Sequence, residues 1–162
     1  TDYLAINDAK TASLCSCACR LGMPEKGGSE QLVRDVASFG RYLGQAFQIA
    51  DDLLDVVGQE SVTGKSLGTD LQHQKATLPV IHLWSCLDST EQEALVELLQ
   101  QPGEEGLPQL LSMLERYGSI EYARQRALEF SKQASHCLEG LPESEATTML
   151  QQLPGFVIDR VR

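Results

Sequence analysis

No run in this chain approaches the roughly 20 apolar residues that a membrane-spanning helix requires, and its oiliest segments are interrupted by Asp, Gln or Lys. No transmembrane segment is expected. Positive charge is scarce: 13 Lys and Arg stand against 23 Asp and Glu, a formal net charge of −10. Such an exterior repels nucleic acid and anionic membrane surfaces, so no nucleic-acid partner is expected, and any phosphate-bearing partner needs local cations or a metal. Sustained alternation of β-branched residues is missing, as are Asn-Gly and Asp-Gly hairpin turns, which excludes a sheet. Neither a fixed-period repeat nor a low-complexity tract occurs. The chain begins Thr1-Asp2-Tyr3 rather than with Met, so a signal, transit peptide or upstream domain would lie outside what the sequence displays.

Zinc-ligand spacing is missing too. Cys15, Cys17 and Cys19 lie in "CSCAC", where zinc sites space their ligands C-x₂₋₄-C, and alternate residues on a helix point about 200° apart. An odd total of five Cys argues against complete disulfide pairing. Small-residue helix packing is the simpler reading, and with it a reducing, cytoplasmic location. His73, His82 and His136 have no second ligand at metal spacing, so each reads as a surface or core histidine.

What is present is an ordinary globular composition, 42% hydrophobic and 22% charged over 162 residues, enough for one compact core. The pattern is all-α. A helix is expected over residues 2 to about 22, ending at Gly-Met-Pro, with "MPEKGGS" as a loop. Ser29 with Glu30 starts a helix whose apolar spacing continues to about Val57, near 28 residues against a mean of about 11–12. "GQESVTGKSLG" is a loop. Helical pattern resumes near Asp70, with Pro79 marking a kink or a new start. Segments at roughly 90–101, 105–117 and 119–140 follow, broken at "QPGEEG" and Gly118, and a last short helix runs to Arg162. Trp84 and Cys86 read as core, as do Phe39, Tyr42, Leu43 and Phe47. Glu91, Glu93, Glu97, Glu104 and Glu105 read as a solvated face.

Three carboxylates, Asp51, Asp52 and Asp55, interrupt the oily end of the long helix. On a helix Asp51 and Asp55 differ by about 40° around the axis, and Asp52 lies about 60° from Asp55. Like charges so placed repel, and burying one without a partner costs several kcal/mol, so the cluster implies a compensating cation. Oxygen donors of this kind suit Mg²⁺. Gln48 sits one turn before Asp52, and Lys65 and Lys75 follow in and after the Gly-rich loop; Lys10 stands beside the Thr11 hydroxyl in an otherwise small and apolar helix. Carboxylates for a metal, with lysines for the other side of a diphosphate, make a coherent site.

The blocks "YLAINDAKTASL", "GQAFQIADDLLDV", "TGKSLGTD" and "QKATLP", in that order, resemble the C-terminal half of a trans-isoprenyl diphosphate synthase (polyprenyl synthetase), and the "KTASL" and "QKATLP" wording is more similar to medium- and long-chain members. The resemblance implies the C-terminal part of the isoprenoid synthase (terpenoid synthase-like) helical bundle, with residues 1–162 forming a single partial domain. It implies Mg²⁺-assisted ionisation of an allylic prenyl diphosphate and attack by isopentenyl diphosphate, in an enzyme that is a homodimer at full length. By match to the family's second aspartate-rich motif, Asp51, Asp52 and Asp55 would hold Mg²⁺. Lys10, Lys65 and Lys75 would bind the diphosphate, while Lys10, Thr11 and Gln48 would flank the reacting carbon; Asp70 would orient these groups or cap a helix. The family's first aspartate-rich motif and the upstream basic residues that bind isopentenyl diphosphate do not occur here, so the chain alone is expected to be inactive. The alternative is a non-catalytic regulatory or interaction subunit of a heteromeric synthase. Keeping mutually repelling carboxylates together with Lys10 and Lys65 has no physical use in a pure scaffold. A further alternative, a terpenoid enzyme acting by cyclisation, shares the diphosphate logic but is disfavoured by the "KTASL" block and the "TGKSLGTD" spacing.

Overall fold

The computed structural model describes residues 2–23, 29–57, 75–100 and 106–161, and among them every regular element is a helix. The sequence-based loop at 58–68, with Lys65, Asp70 and His73, lies outside the described residues. Two compact units emerge: residues 1–50 with 126–162, and residues 51–125.

In the first unit, α1 (Asp2–Asn7) runs through a π-helical turn (Asp8–Ala12) into α2 (Ser13–Leu21). This line packs on α3 (Glu30–Val57), a 28-residue helix about 42 Å long. Ser29 caps α3, its Oγ accepting from the Leu32 N–H at 3.1 Å, as the Ser-Glu signal predicts. Two glycines allow the close approach. A Cβ on Gly40 would lie 2.5 Å from the Cys15 carbonyl oxygen and 2.7 Å from the Cys19 sulfur, and one on Gly44 would lie 2.7 Å from Ala12 Cα. Cys15 and Cys19 therefore serve helix packing, as expected, whereas Cys17 is exposed, and all five thiols are free. Burial raises the Cys19 pKa above its ordinary value.

The same unit is closed by the later part of α7 (Ser119–His136) and by α8 (Glu145–Asp159). Phe39, Ala134 and Leu138 form its core, with Tyr42, Leu43, Cys19 and Leu150 packed around them. Phe47 departs from the core expectation: it is 42% exposed, with the Arg160 guanidinium 5.1 Å from its ring centre. Helix α7 stops at His136, four residues before the expected end, in a series of tight turns beginning with Cys137 N–H to Ala134 C=O at 3.1 Å. The last helix is longer than expected, 15 residues, and contains Pro154. The Pro154 carbonyl accepts from Ser131 Oγ at 3.0 Å.

In the second unit, α4 (Leu78–Cys86), α5 (Ser89–Gln100) and α6 (Gly106–Arg116) enclose Val56, Val80, Leu83, Leu87, Leu95, Leu110 and Leu114. Pro79 marks a new start, since Thr77 is extended and Pro79 sits in the first turn of α4, where its missing N–H costs nothing. Lys75 to Thr77 are not helical, and the expected resumption near Asp70 lies outside the described residues. Asp88 and Glu91 form a reciprocal cap on α5, with Glu91 N–H to Asp88 Oδ1 at 2.9 Å. Gly118, at φ 65°, ends α6 in the left-handed conformation. Trp84 (43% exposed) and Cys86 are at the surface rather than in the core. Helix α4 is apolar nearly all round, so spacing alone does not select its inward face. Glu91 also departs from the expected solvated face, accepting from the Tyr117 hydroxyl and lying near Arg116.

Candidate functional site

The polar residues of the first unit gather where the π-helical turn meets α3. Thr11 Oγ1 donates to Gln48 Oε1 at 2.9 Å, so two residues singled out separately in the sequence, 37 positions apart, are joined. Both are half-buried, and Lys10 beside them is exposed. A side-chain oxygen fixed in this way presents a neutral dipole, which stabilises a cation without being readily alkylated by it.

Four further residues around this turn were not singled out from the sequence. Both Asp8 carboxylate oxygens accept from Arg41, one from Nε and one from Nη2. This pairing holds the Asp8 carboxyl below the ordinary carboxylate range and raises the Arg41 guanidinium. Gln45 Nε2 donates to the Leu4 carbonyl at 3.3 Å and to Asp8 Oδ1 at 3.4 Å, and Asn7 Nδ2 donates to the Gln45 carbonyl at 3.5 Å. Asn7 and Gln45 are only 2% and 6% exposed. Polar side chains at core-facing positions were the one sequence signal for them.

The carboxylates occupy the last two turns of α3. Asp52 is 7% exposed, and its neighbours Leu53 and Val56 are buried; Asp51 and Asp55 are half-buried. None of the three is without a partner. Gln48 precedes Asp52 by one turn of the same helix. Among the described residues no three His, Cys, Asp or Glu side chains converge to hold a metal unaided. The donor set nevertheless fits Mg²⁺, which keeps several waters and takes one or two carboxylates together with substrate phosphates. Lys75 is exposed, just ahead of the α4 cap, and Lys65 lies outside the described residues.

His82 and His136, the two histidines among the described residues, behave as the sequence suggested. His82 is half-buried and stacks on Tyr122 with ring centres 4.1 Å apart, its Nδ1 3.0 Å from Ser119 Oγ, while exposed His136 pairs with Glu139.

The family model described as polyprenyl synthetase matches residues 1–114. A short chain isoprenyl diphosphate synthase of Methanothermobacter thermautotrophicus is 36% identical over 159 residues, 98% of this chain and 49% of that protein. The crystal structure of a decaprenyl diphosphate synthase from Rhodobacter capsulatus superposes with a TM-score of 0.88 at 32% identity, covering 99% of this chain and 50% of that one. A polyprenyl synthase from Caulobacter crescentus, solved with calcium and isoprenyl diphosphate, gives a TM-score of 0.89 at 27% identity, over 99% of this chain and 49% of that one. The chain spans about half the length of the curated relatives it matches. No helix among the described residues is long and apolar enough to cross a membrane.

Proposed function

The chain belongs to the polyprenyl synthetase family, and from that premise we propose that it supplies the second aspartate-rich half of the active site of a trans-polyprenyl diphosphate synthase, a homodimer at full length. The observation that carries the reading is the end of α3, where Asp52, only 7% exposed, stands between Asp51 and Asp55 one turn beyond Gln48. An oily helix with charge at one end suits a substrate with an oily tail and a charged head.

In this reading Asp51, Asp52 and Asp55 hold Mg²⁺, directly or through water, against the allylic diphosphate. The metal supplies charge neutralisation to the leaving diphosphate. Lys10, Lys65 and Lys75 bind that diphosphate, stabilising the negative charge that builds as the C1–O bond breaks and the oxygen keeps the electron pair. Thr11 and Gln48, already hydrogen-bonded to one another, turn neutral oxygens toward the allylic cation. The double bond of isopentenyl diphosphate then forms the new carbon–carbon bond, and a proton is lost. The Caulobacter relative, solved with a divalent cation and isoprenyl diphosphate, supports this metal and ligand class.

The isolated chain does not elongate substrate in this reading, because a facing set of carboxylates and the isopentenyl diphosphate cations are not among its residues. Calorimetry with a non-ionisable farnesyl diphosphate analogue tests the half-site. Binding that requires Mg²⁺ and disappears in Asp51→Ala is expected, and metal-independent binding that survives Asp51→Ala retires the metal assignment. Turnover by the isolated chain retires the half-site.

A further inference from the structure

We infer that Asp8, Arg41 and Gln45 form a clamp that holds the π-helical turn Asp8–Ala12 and thereby positions Lys10 and Thr11. The link to the diphosphate rests on the reading just given.

A π-helical turn holds one residue more than an α-helical turn and is poorer in hydrogen-bond geometry, so it persists only where its surroundings favour it. Here the benefit is visible in what faces α3. Ahead of the turn, Leu4 and Asn7 meet Gln45; at its last residue and beyond it, Ala12, Cys15 and Cys19 meet Gly44 and Gly40. Were residues 8–12 to relax into α-helix, one segment would rotate against the other by about 100°, and both sets could not face α3 together. The ties that oppose this rotation cluster on the turn itself: Asp8 to Arg41 through two hydrogen bonds, Asp8 to Gln45, and Thr11 to Gln48. Lys10, at the centre of the turn, is exposed, and its direction is set by the turn's phase.

The clamp has its own oddity. Asn7 Oδ1 and Gln45 Oε1 are buried and have no hydrogen-bond partner among the described residues. Polar atoms are left unsatisfied in this way where geometry serves another end, and here it keeps both Gln45 donors on α1 and the turn.

The test follows Arg41→Gln, Gln45→Met, and the charge swap Asp8→Arg with Arg41→Asp in the synthase that carries this chain. Hydrogen exchange of the amides of residues 8–13 reads the turn directly. Exchange about tenfold faster in Arg41→Gln or Gln45→Met is expected, with recovery in the swap; unchanged exchange in both single variants overturns the clamp. Affinity for the non-ionisable allylic diphosphate analogue should weaken by roughly tenfold in Arg41→Gln, in keeping with misplacement of one contact, with the melting temperature nearly unchanged. Combining Arg41→Gln with Lys10→Ala should then add little to Lys10→Ala alone; losses that multiply overturn positioning through Lys10. If Lys10→Ala itself binds the analogue normally, the diphosphate role of Lys10 fails, and the clamp is decided by exchange alone.

Discussion

The two ends of α3 use the same helix in opposite ways. Along its middle, Gly40 and Gly44 remove side chains so that the backbone of α2 and the preceding turn can come within contact, and Arg41, Gln45 and Gln48 there hydrogen-bond to α1 and the turn. At its C-terminal end the helix keeps bulk, with Leu53 and Val56 buried, and places three carboxylates among them. Close packing fixes geometry, whereas concentrated like charge costs stability unless a cation answers it. The contrast teaches that the first stretch is close-packed as scaffold, and that the second is where the proposed reading places its Mg²⁺ ligands.

The sharpest way to break this contrast is to remove charge from the second stretch. Asp51→Ala in the active synthase should lower turnover by about 10²–10³-fold, the scale of losing one electrostatic stabiliser of a leaving group, while circular dichroism shows helicity intact. Labelled isopentenyl diphosphate incorporation measures it, and activity within a factor of about three of wild type would remove the carboxylates from the mechanism. Next in size are the glycines. In an open helix Gly→Ala gains up to about 1 kcal/mol from propensity, and Gly155 in α8, where an added Cβ would meet nothing within 4 Å, should show a gain of that order. Gly40→Ala instead drives a methyl into the Cys15 carbonyl, a backbone atom that cannot swing aside, and should cost a net of about 1–3 kcal/mol. Urea melts of the two variants shifting in opposite directions are expected; a shared direction would mean that α2 and α3 separate without penalty.

Much of the scaffold was legible because its signals are local. The α3 limits followed from Ser29 with Glu30 at one end and from unbroken apolar spacing to Val57 at the other; the Gly118 break followed from glycine's tolerance of positive φ. The extended Thr77 and the placement of Pro79 in the first turn of α4 resolved a choice the sequence left open. What stayed hidden depends on neighbours distant in sequence. Nothing local in "NDAKTA" distinguishes a π-helical turn from an α-helix, because the ties that favour it come from Arg41, Gln45 and Gln48, more than 30 residues away. Trp84 was misplaced for a related reason: Leu78, Pro79, Val80 and Leu83 take the buried side of α4, and a helix apolar all round does not announce which side that is. Of the candidate site, the residue types on α3 and on the preceding turn were legible singly, and the Thr11 to Gln48 pairing was not.

The smallest expected effect separates the two polar groups of the first unit by pH. Arg41 holds the Asp8 carboxyl below its ordinary range, through hydrogen bonding first and charge second. A carboxyl whose pKa is depressed by folding contributes its stability above the unfolded-state value, about 3.9, and loses it as pH falls through the folded-state value. The pair should therefore be fully formed at neutral pH and weaken only in acid, below about pH 4. Its side chains are 58% and 24% exposed, so solvent screening limits its worth to about 1 kcal/mol or less. Thr11 and Gln48 carry no titrating proton and should be indifferent to the same change. Melting temperatures of wild type and Arg41→Gln should accordingly differ slightly between about pH 5 and 8 and converge below about pH 4, whereas the difference between wild type and Thr11→Val should stay constant. A Thr11→Val difference that also closes in acid would mean that the two pairings are one network, with the Asp8 charge felt through the whole turn.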